Sequence, residues 1–171
     1  GHDGADTLDG GFGADSLIGG ADTDLVTYAG APGAVTVSLL AGTVLGALGN
    51  DSLAGIENVL GGVGADSLLG DTAANQLLGG DGADTIFGHD GADTLDGGFG
   101  ADSLSGGAGV DLASYAAAPG AVTVSLLAGT SSGAAGNDSL TGIENVLGGL
   151  GADSLQGDAV ANELIGGNGA D

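Results

Sequence analysis

The stretch "GGVGADSLLGDTAANQLLGGDGADTIFGHDGADTLDGGFGADSLSGGAGVDLAS", residues 61–114, divides into six nonamers that start at Gly61, Gly70, Gly79, Gly88, Gly97 and Gly106. Each is a version of G-G-x-G-x-D-x-U-x, where U is a large apolar residue. A turn built on glycine can adopt φ > 0 and aim its carbonyl oxygens inward, and the aspartate adds a carboxylate to them. The x-U-x that follows is a short strand that buries its middle residue. One nonamer is therefore half a coil. Two close a coil of about 18 residues, with turns on alternate edges and a leucine seam between two parallel sheets. The expected fold is all-β, a right-handed parallel β-roll or β-helix solenoid.

Outside this run the chain writes one passage twice. "GADTLDGGFGADSL" stands at residues 4–17 and again at 91–104, and a shift of 87 positions aligns 84 residues, of which 67 are identical. The organisation is two units in one continuous solenoid, 1–87 and 88–171, with inserts at 28–60 and 115–147. The first insert fits the same frame. Tyr28–Leu45 reads as one full coil whose strand "VTVSL" (35–39) turns Val35, Val37 and Leu39 inward by alternation. Gly46–Ala54 reads as a nonamer, and Gly55–Leu60 as a half-coil shortened by three residues, with Glu57 in the place of the aspartate. Each unit then holds ten half-coils, or five coils.

Composition says what such a roll requires. Its 23 acidic residues face no lysine or arginine, so a formal net charge of -23 has no internal cation to offset it and the chain repels itself. The apolar content of 42% is enough for a folded pattern, but two tyrosines and three phenylalanines cannot form a large aromatic core. A bound cation reconciles the two, and the hard cation that accepts oxygen ligands in flexible geometry is Ca²⁺. Several ions are expected. Nucleic acid and anionic membrane surfaces are disfavoured as partners, since both are held through Lys or Arg. There is no cysteine for disulfides or thiolate metal sites. No apolar run reaches the length of a membrane span, and no signal peptide stands in this window. The sequence opens on the first residue of a motif and stops at Asp171 inside another, so it reads as a piece of a longer chain.

The nonamers "GGFGADSLI" (10–18), "GGDGADTIF" (79–87) and "GHDGADTLD" (88–96) resemble the RTX (repeats-in-toxin, haemolysin-type) calcium-binding repeats of secreted bacterial proteins. The inserts, with "YAGAPGAVTVSLLAGT" (28–43) and "GNDSLAGIENVLGG" (49–62), are similar to a segment of longer members. The resemblance implies a parallel β-roll with Ca²⁺ between successive turns on each edge, type I secretion, and folding in the calcium-rich exterior. It also implies ligands at the sixth-position acids: Asp6, Asp15, Asp24, Asp51, Asp66, Asp84, Asp93, Asp102, Asp111, Asp138, Asp153 and Asp171. Carbonyl ligands come from turn glycines, among them Gly62, Gly64, Gly80, Gly82, Gly98 and Gly100. Asn75 and Asn162 depart from the pattern by lacking the charge, and the coils holding Gly33, Gly42, Gly120 and Gly129 lack a ligand side chain, so they are expected to be calcium-free.

Counting half-coils from Gly1 puts Asp51, Asp66, Asp84 and Asp102 on one edge as an unbroken column, and Asp93 and Asp111 on the other beside Asn75. Asp9 and Asp96, at ninth positions, should point outward and confer solubility. His2 and His89 replace a turn glycine and read as surface residues whose carbonyls face the ion. Glu57 and Glu144 suit either ligation or a structural hydrogen bond. Tyr28 and Tyr115 are expected to cover the edge where the calcium column breaks. The outward ninth positions Ile18, Leu45, Leu60, Leu69, Leu78 and Phe87 read either as ordinary strand formers or as an apolar stripe that contacts further copies of the chain or a neighbouring domain. No nucleophile elbow or lysine base is present, so the expectation is a non-enzymatic, calcium-loaded rod in a secreted adhesin, surface layer or filament. The alternative is the export and folding module of a type I-secreted hydrolase.

Overall fold

The computed structural model describes residues 1–171 as two stacked sheets of short strands, without helices. The smaller sheet has eight strands: β1 (Thr7–Leu8), β3 (Leu25–Thr27), β7 (Asn58–Gly62), β9 (Gln76–Asp81), β11 (Thr94–Phe99), β13 (Leu112–Ser114), β17 (Asn145–Leu147) and β19 (Leu164–Ile165), in that spatial order. All of its pairings are parallel, and regular neighbours lie 18 residues apart, as in Asn58↔Gln76 and Gln76↔Thr94. The larger sheet has eleven strands. Those of the nonamers are β2 (Ser16–Ile18), β6 (Ser52–Ala54), β8 (Ser67–Leu69), β10 (Thr85–Asp90), β12 (Ser103–Ala108), β16 (Ser139–Thr141) and β18 (Ser154–Gln156). The inserts contribute β4 (Val35–Ser38), β5 (Thr43–Gly46), β14 (Val122–Ser125) and β15 (Thr130–Gly133). The architecture is a parallel β-roll.

The eighth-position residues meet between the sheets. Val59, Leu77 and Leu95 stack in register on the smaller sheet, and Leu68, Ile86 and Leu104 on the larger, all fully buried or nearly so. Fully burying one such side chain stabilises the fold by roughly 1.5–3 kcal/mol. Val35, Val37 and Leu39 also point inward as the alternation requires.

The inserts are not coils. β4 pairs antiparallel with β5, and β5 antiparallel with β6, so the larger sheet runs β2-β6-β5-β4-β8. Between Ser38 and Thr43 the chain reverses within the sheet instead of crossing to the other, and Gly42 adopts the left-handed φ of 64 that closes the reversal. Val44 then packs inward opposite Val37. Only the latter half of the Gly46–Ala54 nonamer stacks as a turn, with Gly49 against Gly13 and β6 against β2. Unit two repeats this in β14 and β15. The shortened half-coil ending at Leu60 does return to the frame, since Asn58 pairs with Leu25. The ten half-coils of a unit are thus ten strands divided six and four between the sheets.

The apolar ninth positions do not form a single stripe. Successive half-coils belong to opposite sheets, so Ile18, Leu69 and Phe87 lie on the outer face of the larger sheet and Leu60 and Leu78 on that of the smaller. Leu69 and Phe87 are direct neighbours across β8 and β10.

Candidate metal centre

The turns that precede the strands stack on two edges of the roll. On the edge leading into the larger sheet the order is Asp15, Asp51, then the insert strands, then Asp66, Asp84, Asp102 and Asp138. The column expected from Asp51 through Asp102 is therefore broken, because β5 and β4 stand between Asp51 and Asp66. On the other edge Asp6, Asp24 and Glu57 follow one another, then Asn75, Asp93, Asp111 and Glu144.

One bond recurs along both columns. The Oδ1 of an aspartate accepts the backbone N–H of the equivalent residue one turn below: Asp84 from Asp66 at 2.7 Å, Asp102 from Asp84 at 2.8 Å, Asp93 from Asn75 at 2.8 Å and Asp111 from Asp93 at 2.8 Å, while Asp66 and Asp153 accept from the insert residues Val35 at 2.8 Å and Val122 at 2.9 Å. Glu57 and Glu144 perform this task across the shortened half-coils, where the longer side chain accepts from Asp24 at 2.8 Å and Asp111 at 2.9 Å.

The second oxygen divides the turns. Oδ2 of Asp15, Asp24, Asp84, Asp93, Asp102 and Asp111 is buried and has no hydrogen-bond partner. A buried carboxylate oxygen left unpaired is costly, and in four of these turns burial is the leading cause of a raised pKa, about 6 for Asp84 and Asp102, with Asp93 and Asp111 shifted in the same direction. Elsewhere a protein donor meets the same oxygen. The Gly62 N–H donates to Asp66 Oδ2 at 2.7 Å and the Gly149 N–H to Asp153 Oδ2 at 2.6 Å. The buried Tyr28 and Tyr115 hydroxyls donate to Asp51 and Asp138 Oδ2 at 3.0 Å each, and the Ser131 hydroxyl also reaches Asp138. The tyrosines thus sit inside the roll and do not cover its edge. At Asn75 the amide donates to the Glu57 carbonyl at 2.8 Å, and Asn162 does the same to Glu144.

Glycine is required where turns meet. A Cβ on Gly80, Gly82, Gly98 or Gly100 would overlap the carbonyl oxygen of Gly62, Gly64, Gly80 or Gly82 in the turn beneath, so those carbonyls point along the roll into the inter-turn gap. A Cβ on Gly79 or Gly97 would overlap Oδ2 of Asp84 or Asp102. Each gap thus presents carboxylate and peptide oxygens with no nitrogen or sulfur donor, which fits Ca²⁺. Asp84, Asp93, Asp102 and Asp111, with the flanking carbonyls, would hold it. Its charge would offset carboxylates that nothing else neutralises. No three acidic or histidine side chains converge anywhere, because each turn supplies only one side chain and the remaining oxygens are backbone. His2 and His89 are exposed, and a Cβ on Gly20 or Gly107 would overlap their carbonyls. Asp9 is exposed as expected, but Asp96 is half-buried, accepting from Ser114 at 3.3 Å and Gly98 at 3.0 Å.

The roles of Tyr28, Ser131 and Asn75 were not read from the sequence. Tyr28–Asp51 and Tyr115–Asp138 share a separation of 23 residues, a regularity that could have pointed to the pairs.

The family model for the RTX calcium-binding nonapeptide repeat (4 copies) matches residues 1–30, 52–86, 60–95, 78–113 and 147–171, which together make up more than half of the chain. The unmatched residues, 31–51 and 114–146, hold the hairpin strands of the two inserts and, in the second unit, also β16 and most of β17. Among curated proteins, none matches the chain.

Proposed function

Because the chain belongs to the RTX calcium-binding nonapeptide repeat family, we propose that it is a non-catalytic segment of a secreted, extracellular rod that folds on binding calcium after export and is lengthened by adding 87-residue units end to end. One observation carries this reading. The boundary at Phe87–Gly88 falls inside β10, which pairs with β8 of the first unit on one side and β12 of the second on the other. No linker separates the units, so further copies extend the same two sheets. A module that served only export would require nonamers but not a faithful long repeat with its insert retained.

The test is length. With strands about 4.8 Å apart and an average of five per sheet, each unit should add roughly 24 Å. Chains of two, four and six units, measured by small-angle scattering in millimolar calcium, should lengthen by a constant increment. A radius that grows as for separate beads on a tether would overturn the rod and favour the export-module reading.

A further inference from the structure

The unpaired carboxylate oxygens coincide with a second, independent feature. In every turn whose Oδ2 lacks a partner, the residue at the second position has a left-handed φ: Gly11 at 70, Gly20 at 129, Gly80 at 109, His89 at 82, Gly98 at 85 and Gly107 at 119. In the turns of Asp6, Asp66, Asn75, Asp153 and Asn162 the second residue is outside that region, and its N–H instead donates to the sixth side chain at 2.6–3.0 Å. The same motif thus has two backbone states. In one the peptide supplies the positive end of a dipole to the carboxylate, and in the other that oxygen is left for a cation. His89 shows that the second state is enforced, since a non-glycine residue there is held at a φ that costs about 1–2 kcal/mol.

The two states are not scattered along the roll. Asp84, Asp93, Asp102 and Asp111 are consecutive and straddle the boundary between units, and Asp15 and Asp24 are the counterparts of Asp102 and Asp111 in the first unit. Apart from the turn of Asp6, where the His2 N–H donates, the turns with protein donors adjoin the inserts: Asp51 and Asp138 with their tyrosines, and Asp66, Asn75, Asp153 and Asn162 just after. We propose that calcium occupies only the turns with a left-handed second residue, so that ions gather at the joints between units and each insert is a metal-free block. Of these carboxylates, Asp24, Asp84, Asp93, Asp102 and Asp111 are at most 3% exposed, so the orphaned oxygens face the gap and not solvent. Asp171, exposed at the end of the described chain, has the same turn, with Gly167 at φ 93.

The inference rests on the calcium-binding reading but not on the rod, and its test separates them. A crystal of the 171-residue chain grown in calcium and measured at a wavelength where calcium scatters anomalously should show ions beside Asp84, Asp93, Asp102 and Asp111, and none beside Asp51, Asp66, Asp138 or Asp153. An ion at any of the latter four overturns the sorting, whatever scattering says about length. Native mass spectrometry supplies a second measurement. Asp84→Asn should lower the number of bound ions by at least one, and Asp66→Asn should leave it unchanged. Equal losses from the two variants would also overturn it.

Discussion

Along Gly79–Ser114 each turn leaves a carboxylate oxygen that the chain does not satisfy, whereas from Tyr28 to Asn75 the comparable oxygens at Asp51 and Asp66 are met by a hydroxyl and an N–H. Both regions belong to one continuous apolar core between the two sheets, although the first adds an antiparallel hairpin to the larger sheet. On the sorting proposed above, the nonamer is a scaffold for stacking first, and cation dependence is set turn by turn by what faces Oδ2.

The comparison can be broken most decisively by removing calcium. With 23 acids and no cationic side chain, chelation should abolish most of the β circular dichroism. In a titration, amide protection over Thr85–Asp90 should disappear at higher free calcium than protection over Val35–Ser38. Loss of both at one concentration would mean that the two regions do not differ.

Next in size is Asp84→Ala, which removes the acceptor of the Asp66 N–H as well as the unpaired oxygen. Leaving the buried N–H unsatisfied should cost about 1–3 kcal/mol and weaken calcium-induced folding several-fold. Asp9→Ala, on an exposed side chain that only braces Gly11, should fall within about 0.5 kcal/mol. Calcium titrations followed by circular dichroism compare them, and equal midpoints would refute the assigned register.

Tyr28→Phe and Tyr115→Phe sharpen the contrast within the inserts. Loss of the hydroxyl orphans Asp51 Oδ2, at about 1–3 kcal/mol, but Asp138 keeps the Ser131 hydroxyl, where unit one has Val44. The first substitution should therefore lower thermal stability more than the second. The reverse order would show that the plug does not act through the carboxylate.

The smallest effect is that of pH on calcium-free protein. Asp84 and Asp102 are raised from 3.8 to about 6 by burial, so the folded state binds more protons than the unfolded. Their contribution is fully present below about pH 4 and is lost as pH rises through 6. Residual β structure in chelator should thus be greater at pH 4.5 than at pH 7. In calcium the trend should invert, because protons and the ion compete for the same oxygens.

The nonamers were legible because glycine, aspartate and leucine at fixed offsets leave few alternatives, and reading Gly55–Leu60 as a half-coil shortened by three put Glu57 in the place of the aspartate, where it accepts the Asp24 N–H. The hairpin was not. "VTVS" and "TVLG" alternate identically whichever way a strand runs, and only the left-handed Gly42 and the sheet register decide the direction. Tyr28 was misplaced because its reach to Asp51 exists only once β6 lies two strands from β4. The apolar stripe failed for a reason the period already contained: an advance of nine residues exchanges one sheet for the other.

The unequal division of strands has a geometric consequence. From β2 to its counterpart β12 the larger sheet takes six steps, and from β1 to β11 the smaller takes four. At about 4.8 Å per step the two faces of one unit differ in length by about 10 Å, comparable to the separation of stacked sheets. The extra length lies on one face alone, so every 87-residue repeat marks the larger sheet with a hairpin and leaves the smaller sheet unmarked, giving the rod two unequal sides.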